Sequence, residues 1–269
     1  MLDQGYKVQS FKKDQVDITD FKKVKSIIQN GKPDLIFNYA ATSSIAHNYA
    51  HDHIKTIVGG TFNILETCFK EKSKAKIFIS GSAIQFSNCG LPIDKKTKLS
   101  HDSIYACARN SALFLSRYYR KNGLNVYFGF LFNHESAHRP KKHLTKILAS
   151  KVYLSKKGRD PIRLVDYNVK KEWSHAFDVC KKIVNVVQSS RPSEFIVGSG
   201  VSHSIKRFVF ELSKRYGYSK KPILKNALFQ KAQYKNLVSK PDMKSKVADG
   251  FYKVVNDLCE FELNRQKNK

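Results

Sequence analysis

Acidic residues, long apolar runs and paired cysteines are all scarce in this sequence of 269 residues. No apolar stretch approaches the roughly 18 residues that a transmembrane helix needs, so no membrane span is predicted. The N-terminus lacks a basic region followed by an apolar one, so no signal peptide is predicted. The five cysteines are scattered and form no Cys-x-x-Cys pair, which predicts reduced thiols in a cytoplasmic protein.

The scarcity of acidic residues leaves a strongly basic chain. Lysine and arginine number 49 against 22 aspartates and glutamates, a formal net charge of +27. The lysines occur as scattered pairs, and no recognised nucleic-acid fold signature accompanies them. The pattern therefore favours a solvated, lysine-biased surface, with nonspecific polyanion binding at low salt as its consequence.

Strand-like and helix-like runs alternate along much of the chain. The predicted strands are Tyr6–Phe11, Asp34–Ala40, Ala75–Ser80, Asn125–Asn133 and Glu194–Gly198. The predicted helices are Asp20–Asn30, His53–Lys70, Ser103–Lys121 and Phe177–Ser189. Strands that alternate with helices of about ten residues or more indicate βαβ units, and so an α/β fold with a doubly wound parallel sheet.

Beyond residue 136 the pattern loosens. We expect helices at His143–Lys157 and Ser204–Tyr216, a short strand at Pro161–Val165, and short helices packed at the rim over Ser219–Lys269. This divides the chain into a first domain over residues 1–136 and a smaller, mixed lobe over residues 137–269. Residues 193–199 are expected to return to the main sheet.

Two segments carry the chemical signal. Tyr105 and Arg109 lie one helical turn apart, so they share one helix face. The strand that follows ends in Leu-Phe-Asn-His-Glu-Ser at residues 131–136. A tyrosine and a cation one turn apart, followed by such a strand, are typical of reductase-type sugar-nucleotide enzymes. The run at residues 131–136 resembles a signature of GDP-mannose 4,6-dehydratases, which are extended short-chain dehydrogenase/reductases.

Further segments resemble the same family, in the same order. Asp17-Ile18-Thr19-Asp20 resembles the turn that touches the adenine, and Asn38-Tyr39-Ala40-Ala41 the turn beside the cofactor. Residues 60–66 resemble the helix that follows, and residues 171–178 an Arg-Asp-Trp-Gly-His-Ala-x-Asp run. The likeness covers residues 1–216. Blocks in this order imply a Rossmann-like sheet with a C-terminal substrate lobe.

The resemblance implies an NADP-dependent conversion of GDP-mannose to GDP-4-keto-6-deoxymannose. Tyr105 matches the catalytic tyrosine, Arg109 stands where the family has lysine, and Ser82 matches the neighbouring hydroxyl after a local shift. The implied cofactor contacts are Asp17, Ile18, Ala40, Ala41, Tyr105, Arg109, His134 and Arg139. The implied contacts to the GDP-sugar are Asn133, Lys171 and Lys206. A homo-oligomer is compatible with this, and no metal site is expected.

The sequence also departs from the family pattern. Gly81 falls on the family's threonine, and Ala83 on the glutamate that takes the C5 proton. No Gly-x-x-Gly-x-x-Gly motif occurs, although the family begins with a strand followed by that motif. We therefore interpret the chain as an N-terminally truncated relative whose sheet lacks its first strand. In that case Tyr6–Phe11 and Asp34–Ala40 would flank a gap, which we favour over their pairing with each other.

Two functions remain open on these grounds. The first is a dehydratase relative whose activity is impaired and whose binding of NADP by this chain alone is weak. The second is a non-catalytic protein that binds a GDP-sugar or a polyanion on the same fold. His51-Asp52-His53 has the spacing of metal ligands, but we interpret it as a solvated helix start.

Overall fold

The computed structural model describes residues 5–42, 44–155, 162–164, 166–218, 224–226 and 234–267. The chain divides into two compact units. The first contains Met1–Gly81, Leu99–Phe128 and Arg191–Ser193, and the second contains Ser82–Lys98, Gly129–Ser190 and Glu194–Lys269. The functional division at residue 136, between a cofactor domain and a sugar lobe, remains a prediction.

The main sheet has four strands. They are β1 (Leu35–Asn38), β2 (Lys76–Ser80), β3 (Asn125–Leu131) and β8 (Glu194–Val197), in the order β1-β2-β3-β8. β1 and β2 run parallel, with Leu35 opposite Lys76. The side chains of β2 and β3 are buried at nearly every position, as expected for strands that are covered on both faces.

The helices of the first unit begin and end where the sequence provides caps. They are α1 (Phe21–Gly31), α2 (Ala50–Asp52), α3 (Gly60–Lys70) and α4 (Ile104–Lys121), with a π-helix at His53–Gly59 directly before α3. Asp20 accepts a hydrogen bond from the Lys23 amide, and Ser103 accepts one from the Ala106 amide. These caps satisfy amides that have no partner inside the helix.

The second unit holds the remaining elements. Its helices are α5 (Leu144–Leu154), α6 (Ala176–Ser189), α7 (Ile205–Arg215) and α8 (Phe251–Lys267). Its short strands are β4 (His134–Glu135), β5 (Ile162–Leu164), β6 (Lys170–Lys171), β7 (Ser174–His175), β9 (His203–Ser204), β10 (Leu224–Asn226) and β11 (Asn236–Leu237). Trp173 is fully buried in the core, where its ring stacks on Phe208 at 4.4 Å.

Two predicted elements are wrong. Tyr6–Phe11 is irregular throughout, and within the described residues no ladder joins it to β1. Val8 and Phe11 are 45% and 50% exposed, so this segment buries too little apolar surface to hold a strand. The region after residue 219 was expected to form short rim helices, yet it ends in α8, whose Val254, Leu258 and Cys259 enter the core.

The remaining predictions agree closely with the structure. Helices and strands elsewhere lie within a few residues of their expected bounds, apart from Lys156, Lys157, Pro161 and Val165, which fall outside the described residues. All five cysteines are described, and each is a free thiol. None of the described helices is both long and apolar enough to cross a membrane.

Gly250 allows the start of α8 to approach β7 closely. A Cβ atom at this position would lie 2.4 Å from the His175 amide nitrogen and 3.0 Å from the Ser174 carbonyl carbon. Both atoms belong to the backbone, so no side-chain rotation relieves the clash. We expect Gly250→Ala to lower the free energy of unfolding by about 1–3 kcal/mol, measured by urea denaturation.

Gly31 supplies the matched control. It is the last residue of α1, and the nearest heavy atom to an added Cβ is 4.0 Å away. Gly31→Ala should leave stability unchanged or raise it by up to about 1 kcal/mol, since alanine is the better helix former. Equal effects of the two substitutions would contradict the packing argument.

Candidate functional site

The candidate catalytic pair lies in a buried cluster of the first unit. Tyr105 and Arg109 lie one turn apart on α4, and the Arg109 Nε donates to the Tyr105 hydroxyl at 3.2 Å. The Arg109 Nη1 donates to both the carbonyl and the hydroxyl of Ser80 at the end of β2, at 2.5 and 3.2 Å. The planar guanidinium therefore joins the strand end to the tyrosine through two different nitrogens.

His53 was expected on a solvated helix start, and the structure corrects this. His51 and Asp52 are exposed, but His53 is only 1% exposed. Its ring packs edge-on against Tyr105, with the ring centroids 5.2 Å apart. Burial lowers the pKa of His53, and the nearby Arg109 charge acts in the same direction. No local pattern predicts this burial, because the π-helix at His53–Gly59 changes which residues face α4.

The turn that resembles the adenine contact is held by α3. The Asp17 carboxylate accepts the Thr19 amide at 2.9 Å, and hydrogen bonds from Thr19 lower the pKa of Asp17. The Asn63 amide donates to the Ile18 carbonyl at 2.9 Å. Ile18 rests on Gly60, where a Cβ would come within 2.1 Å of the Ile18 Cδ1 atom. Glycine at position 60 thus lets the turn approach the helix.

The turn that contains Ala40 and Ala41 follows β1 directly. The Asn38 side chain accepts the Ala40 amide at 3.0 Å, which forms a tight turn where the strand ends. Both alanines are partly buried. In a parallel sheet, the carboxyl ends of the strands are where ligands bind. Asn38 and Ser80 both lie at that edge, at the ends of the paired strands β1 and β2.

Ser82 and its neighbours belong to the second unit. The Ser82 hydroxyl accepts the Ile84 amide at 3.3 Å, and the Gln85 side chain accepts the Ser82 amide at 2.7 Å, so Ser82 caps a short 3-10 turn. Ala83 is buried and has no group that can take up a proton.

Two of the predicted contacts, His134 and Arg139, lie around Glu135. The Glu135 carboxylate accepts from the Arg139 Nε and from the Thr145 hydroxyl, both at 3.0 Å. Arg139 also donates to the His134 carbonyl at 3.0 Å. The His134 Nδ1 donates to the Phe132 carbonyl at 2.9 Å, which leaves Nε2 as the acceptor of a neutral ring. Burial lowers the pKa of His134.

Lys171 joins this cluster, whereas Lys206 does not. Burial lowers the pKa of Lys171, and the Glu135 charge opposes that shift. The Lys171 ammonium lies 5.2 Å from the centre of the Trp173 ring. Lys206 is exposed on α7, with its ammonium 5.8 Å from the Phe210 ring. Asn133 precedes β4, and its carbonyl accepts the Ser174 amide at 3.3 Å.

Sequence reasoning missed the role of Glu172. This fully buried carboxylate accepts from the amide and hydroxyl of Ser239 and from the amide and hydroxyl of Ser199, at 2.5–3.2 Å. The Gly200 amide adds a longer bond at 3.3 Å. A Cβ at Gly198 would lie 2.7 Å from the carboxylate. The Gly-Ser-Gly run at residues 198–200 was the available signal, since it marks a close approach of backbone to a side chain.

Among the described residues, no group of three or more His, Cys, Asp or Glu side chains is placed to hold a metal ion.

Comparisons with known proteins give consistent results. The family model for GDP-mannose 4,6 dehydratase matches residues 2–246. The chain is 30% identical to GDP-mannose 4,6 dehydratase of Drosophila melanogaster over 201 residues, which are 72% of this chain and 51% of that protein. It is 27% identical to the Homo sapiens enzyme over 202 residues, 72% of this chain and 54% of that protein. The chain spans about half the length of these curated relatives.

Solved structures show the same fold. A UDP-glucose 4-epimerase from Thermotoga maritima with UDP-glucose superimposes with a TM-score of 0.83 at 16% identity, over 100% of this chain and 94% of that chain. RMD from Pseudomonas aeruginosa complexed with NADPH gives a TM-score of 0.81 at 14% identity, over 93% and 86%. At such identities the likeness concerns the fold alone, a Rossmann-like α/β fold.

The buried Glu172 generates a stability prediction. In Glu172→Gln, one carboxylate oxygen becomes an amide nitrogen that cannot accept the serine donors facing it. We expect the free energy of unfolding to fall by about 3 kcal/mol, measured by urea denaturation. The control is Glu260→Gln on the exposed side of α8, which should change stability by less than about 0.5 kcal/mol. Similar values for both variants would contradict the assigned role.

Acid should weaken the fold through its buried histidines. The pKa values of His53, His134 and His143 are all lowered, first by burial. The unfolded chain therefore binds more protons than the folded one just below about pH 6.5, and stability falls as the pH falls through that value. His134→Gln should reduce this slope in unfolding experiments between about pH 7.5 and about pH 5.5.

The exposed His51 provides the control for that experiment. His51→Gln should leave the pH slope of stability unchanged. A slope that survives intact in His134→Gln would show that the His134 ring is readily protonated in the folded state.

Proposed function

Because the chain belongs to the GDP-mannose 4,6-dehydratase family, we propose that it binds a GDP-sugar with NADP and transfers protons at the sugar C4 hydroxyl through Tyr105. The observation that carries this proposal is the Arg109–Tyr105 hydrogen bond, anchored on Ser80 at the end of β2. It fixes a phenol beside a permanent positive charge at the ligand edge of the sheet.

The described residues fit part of a nicotinamide cofactor. The adenine end would meet Asp17 and Ile18, whose turn is held by Asn63. The ribose end would meet Arg109: within the described residues, its Nη2 atom takes no part in the bonds to Ser80 and Tyr105. A donor in this position suits a ribose hydroxyl. Bound there, the cofactor supplies the acceptance and return of a hydride.

Tyr105 performs the proton transfer in this proposal. In the proposed step a Tyr105 phenolate, to whose oxygen Arg109 donates, takes up the proton of the sugar hydroxyl and becomes a neutral phenol. The Ser82 hydroxyl, fixed by its capping role, would hold the sugar oxygen.

The elimination of water is the step that this chain supports poorly. The family's glutamate falls on the buried Ala83, and its threonine on Gly81. A positioned base contributes typically 10²–10⁴ in rate. We therefore propose an impaired enzyme that retains oxidation and reduction of the sugar better than removal of water.

A second candidate is a GDP-sugar binding protein without activity. This candidate is favoured by Ala83, which cannot act as a base, and by Arg109, which stands where the family has lysine. The basic cluster of Lys171 and Arg139 around Glu135 would then serve binding alone. A cytoplasmic setting is part of either proposal, and the five free thiols support it.

Product analysis distinguishes these functions. The protein is incubated with GDP-mannose and NADP, and the sugar products are followed by mass spectrometry, with cofactor reduction followed by absorbance. We expect a C4-oxidised sugar and little product that has lost water. Tyr105→Phe should lower the oxidation rate at least about 10²-fold, while GDP-mannose affinity by calorimetry stays within a few fold.

The remaining outcomes are equally clear. Rapid loss of water would contradict the assigned effect of Ala83, whereas binding without oxidation would establish the second candidate. Absence of any GDP-mannose binding would contradict both. Ala83→Glu tests the missing base directly, because it should increase the dehydrated product only if Tyr105-dependent oxidation already occurs.

A further inference from the structure

His53 occupies an unusual position beside the candidate catalytic pair. It begins the seven-residue π-helix His53–Gly59, a form of helix that often occurs at functional sites. Its ring is 1% exposed and meets the Tyr105 ring at 74°, with the centroids 5.2 Å apart. The contact leaves the Tyr105 hydroxyl to Arg109. His53 therefore contacts the ring of Tyr105, and Arg109 contacts its hydroxyl.

The nitrogens of this ring are poorly satisfied. Among the described residues, neither the Nδ1 nor the Nε2 of His53 has a hydrogen-bond partner of acceptable geometry. A buried polar atom without a partner costs stability. A phenylalanine would fill the same space and make the same edge-on contact without that cost. Packing alone therefore does not account for a histidine here.

The charges around His53 keep the ring neutral. Burial opposes protonation most strongly, and Arg109 on α4 adds to it. A hydrogen bond of poor geometry with the Ser44 backbone, and then the Asp52 carboxylate next in sequence, act in the opposite direction. The Tyr49 ring, 6.4 Å away, and the Tyr105 ring complete the aromatic surroundings. A proton on His53 would place a second positive charge beside Arg109.

We propose that His53 is a positioning residue for the Tyr105–Arg109 pair, holding the phenol ring edge-on while its own ring is neutral and releasing it when protonated. This inference rests on the proposed function in taking Tyr105 as the group that meets the ligand. His53 itself acts through Tyr105 and is not assigned a contact to any ligand.

The first test does not depend on any ligand. The tyrosines are labelled with ¹³C at Cζ, and the Tyr105 resonance is identified by its loss in Tyr105→Phe. In the unmodified protein this resonance should shift or broaden as the pH falls from about 7.5 to about 5.5. In His53→Phe the pH-dependent step should disappear, and in His51→Phe, at an exposed position, it should remain.

The second test measures function. GDP-mannose affinity is determined by calorimetry at the same two pH values. The unmodified protein should lose at least about tenfold in affinity at the lower pH, whereas His53→Phe should lose little, because it keeps the ring contact without a titrating nitrogen. Since the phenyl ring preserves the volume, the variant is expected to fold, which thermal unfolding verifies.

The two tests separate the failure of this inference from the failure of the proposed function. A Tyr105 resonance that is insensitive to pH, or that keeps its step in His53→Phe, would overturn the positioning role. If GDP-mannose binds at neither pH, the proposed function fails, and the resonance still decides whether His53 controls Tyr105.

Discussion

The candidate site depends on one buried cation. Arg109 joins the end of β2 to Tyr105 by donating to the backbone and side chain of Ser80 and to the phenol hydroxyl. Because one donor group is fixed on a strand carbonyl, the tyrosine is tied to the sheet, which is the least mobile part of the fold. The bonds come from two guanidinium nitrogens held in one plane, whereas an ammonium would have to make all three from a single nitrogen on a flexible stem.

The second unit is organised by buried carboxylates. Glu172 gathers the donors of Ser199, Ser239 and Gly200, and Glu135 gathers those of Arg139 and Thr145. In a chain with a net charge of +27, acidic side chains are few, and these two are placed where loops must be fixed. The lysine and arginine side chains that have no acidic partner can be solvated by water or can contact phosphate groups.

Sequence patterns predicted the helices and the strands of the sheet well, because caps such as Asp20 and Ser103 and the apolar runs of β2 and β3 act locally. They failed where the outcome depends on distant partners. The segment Tyr6–Phe11 has the alternation of a strand, but it joins no ladder among the described residues and is irregular. The pairing of Arg109 with Ser80, 29 residues apart, and the burial of His53 by a π-helix likewise follow from packing that no local pattern records.

The family reaction combines hydride transfer with removal of water, and these steps rely on different side chains. Proton transfer at C4 uses a phenol and a cation, which this chain holds in one hydrogen-bonded cluster that includes the backbone of Ser80. Removal of the C5 proton uses a single carboxylate, and its position here is the buried Ala83. A cluster anchored on backbone is harder to lose by substitution than one unpaired side chain. In the proposed function the two steps can therefore be separated, with the oxidation step retained and the elimination step weakened.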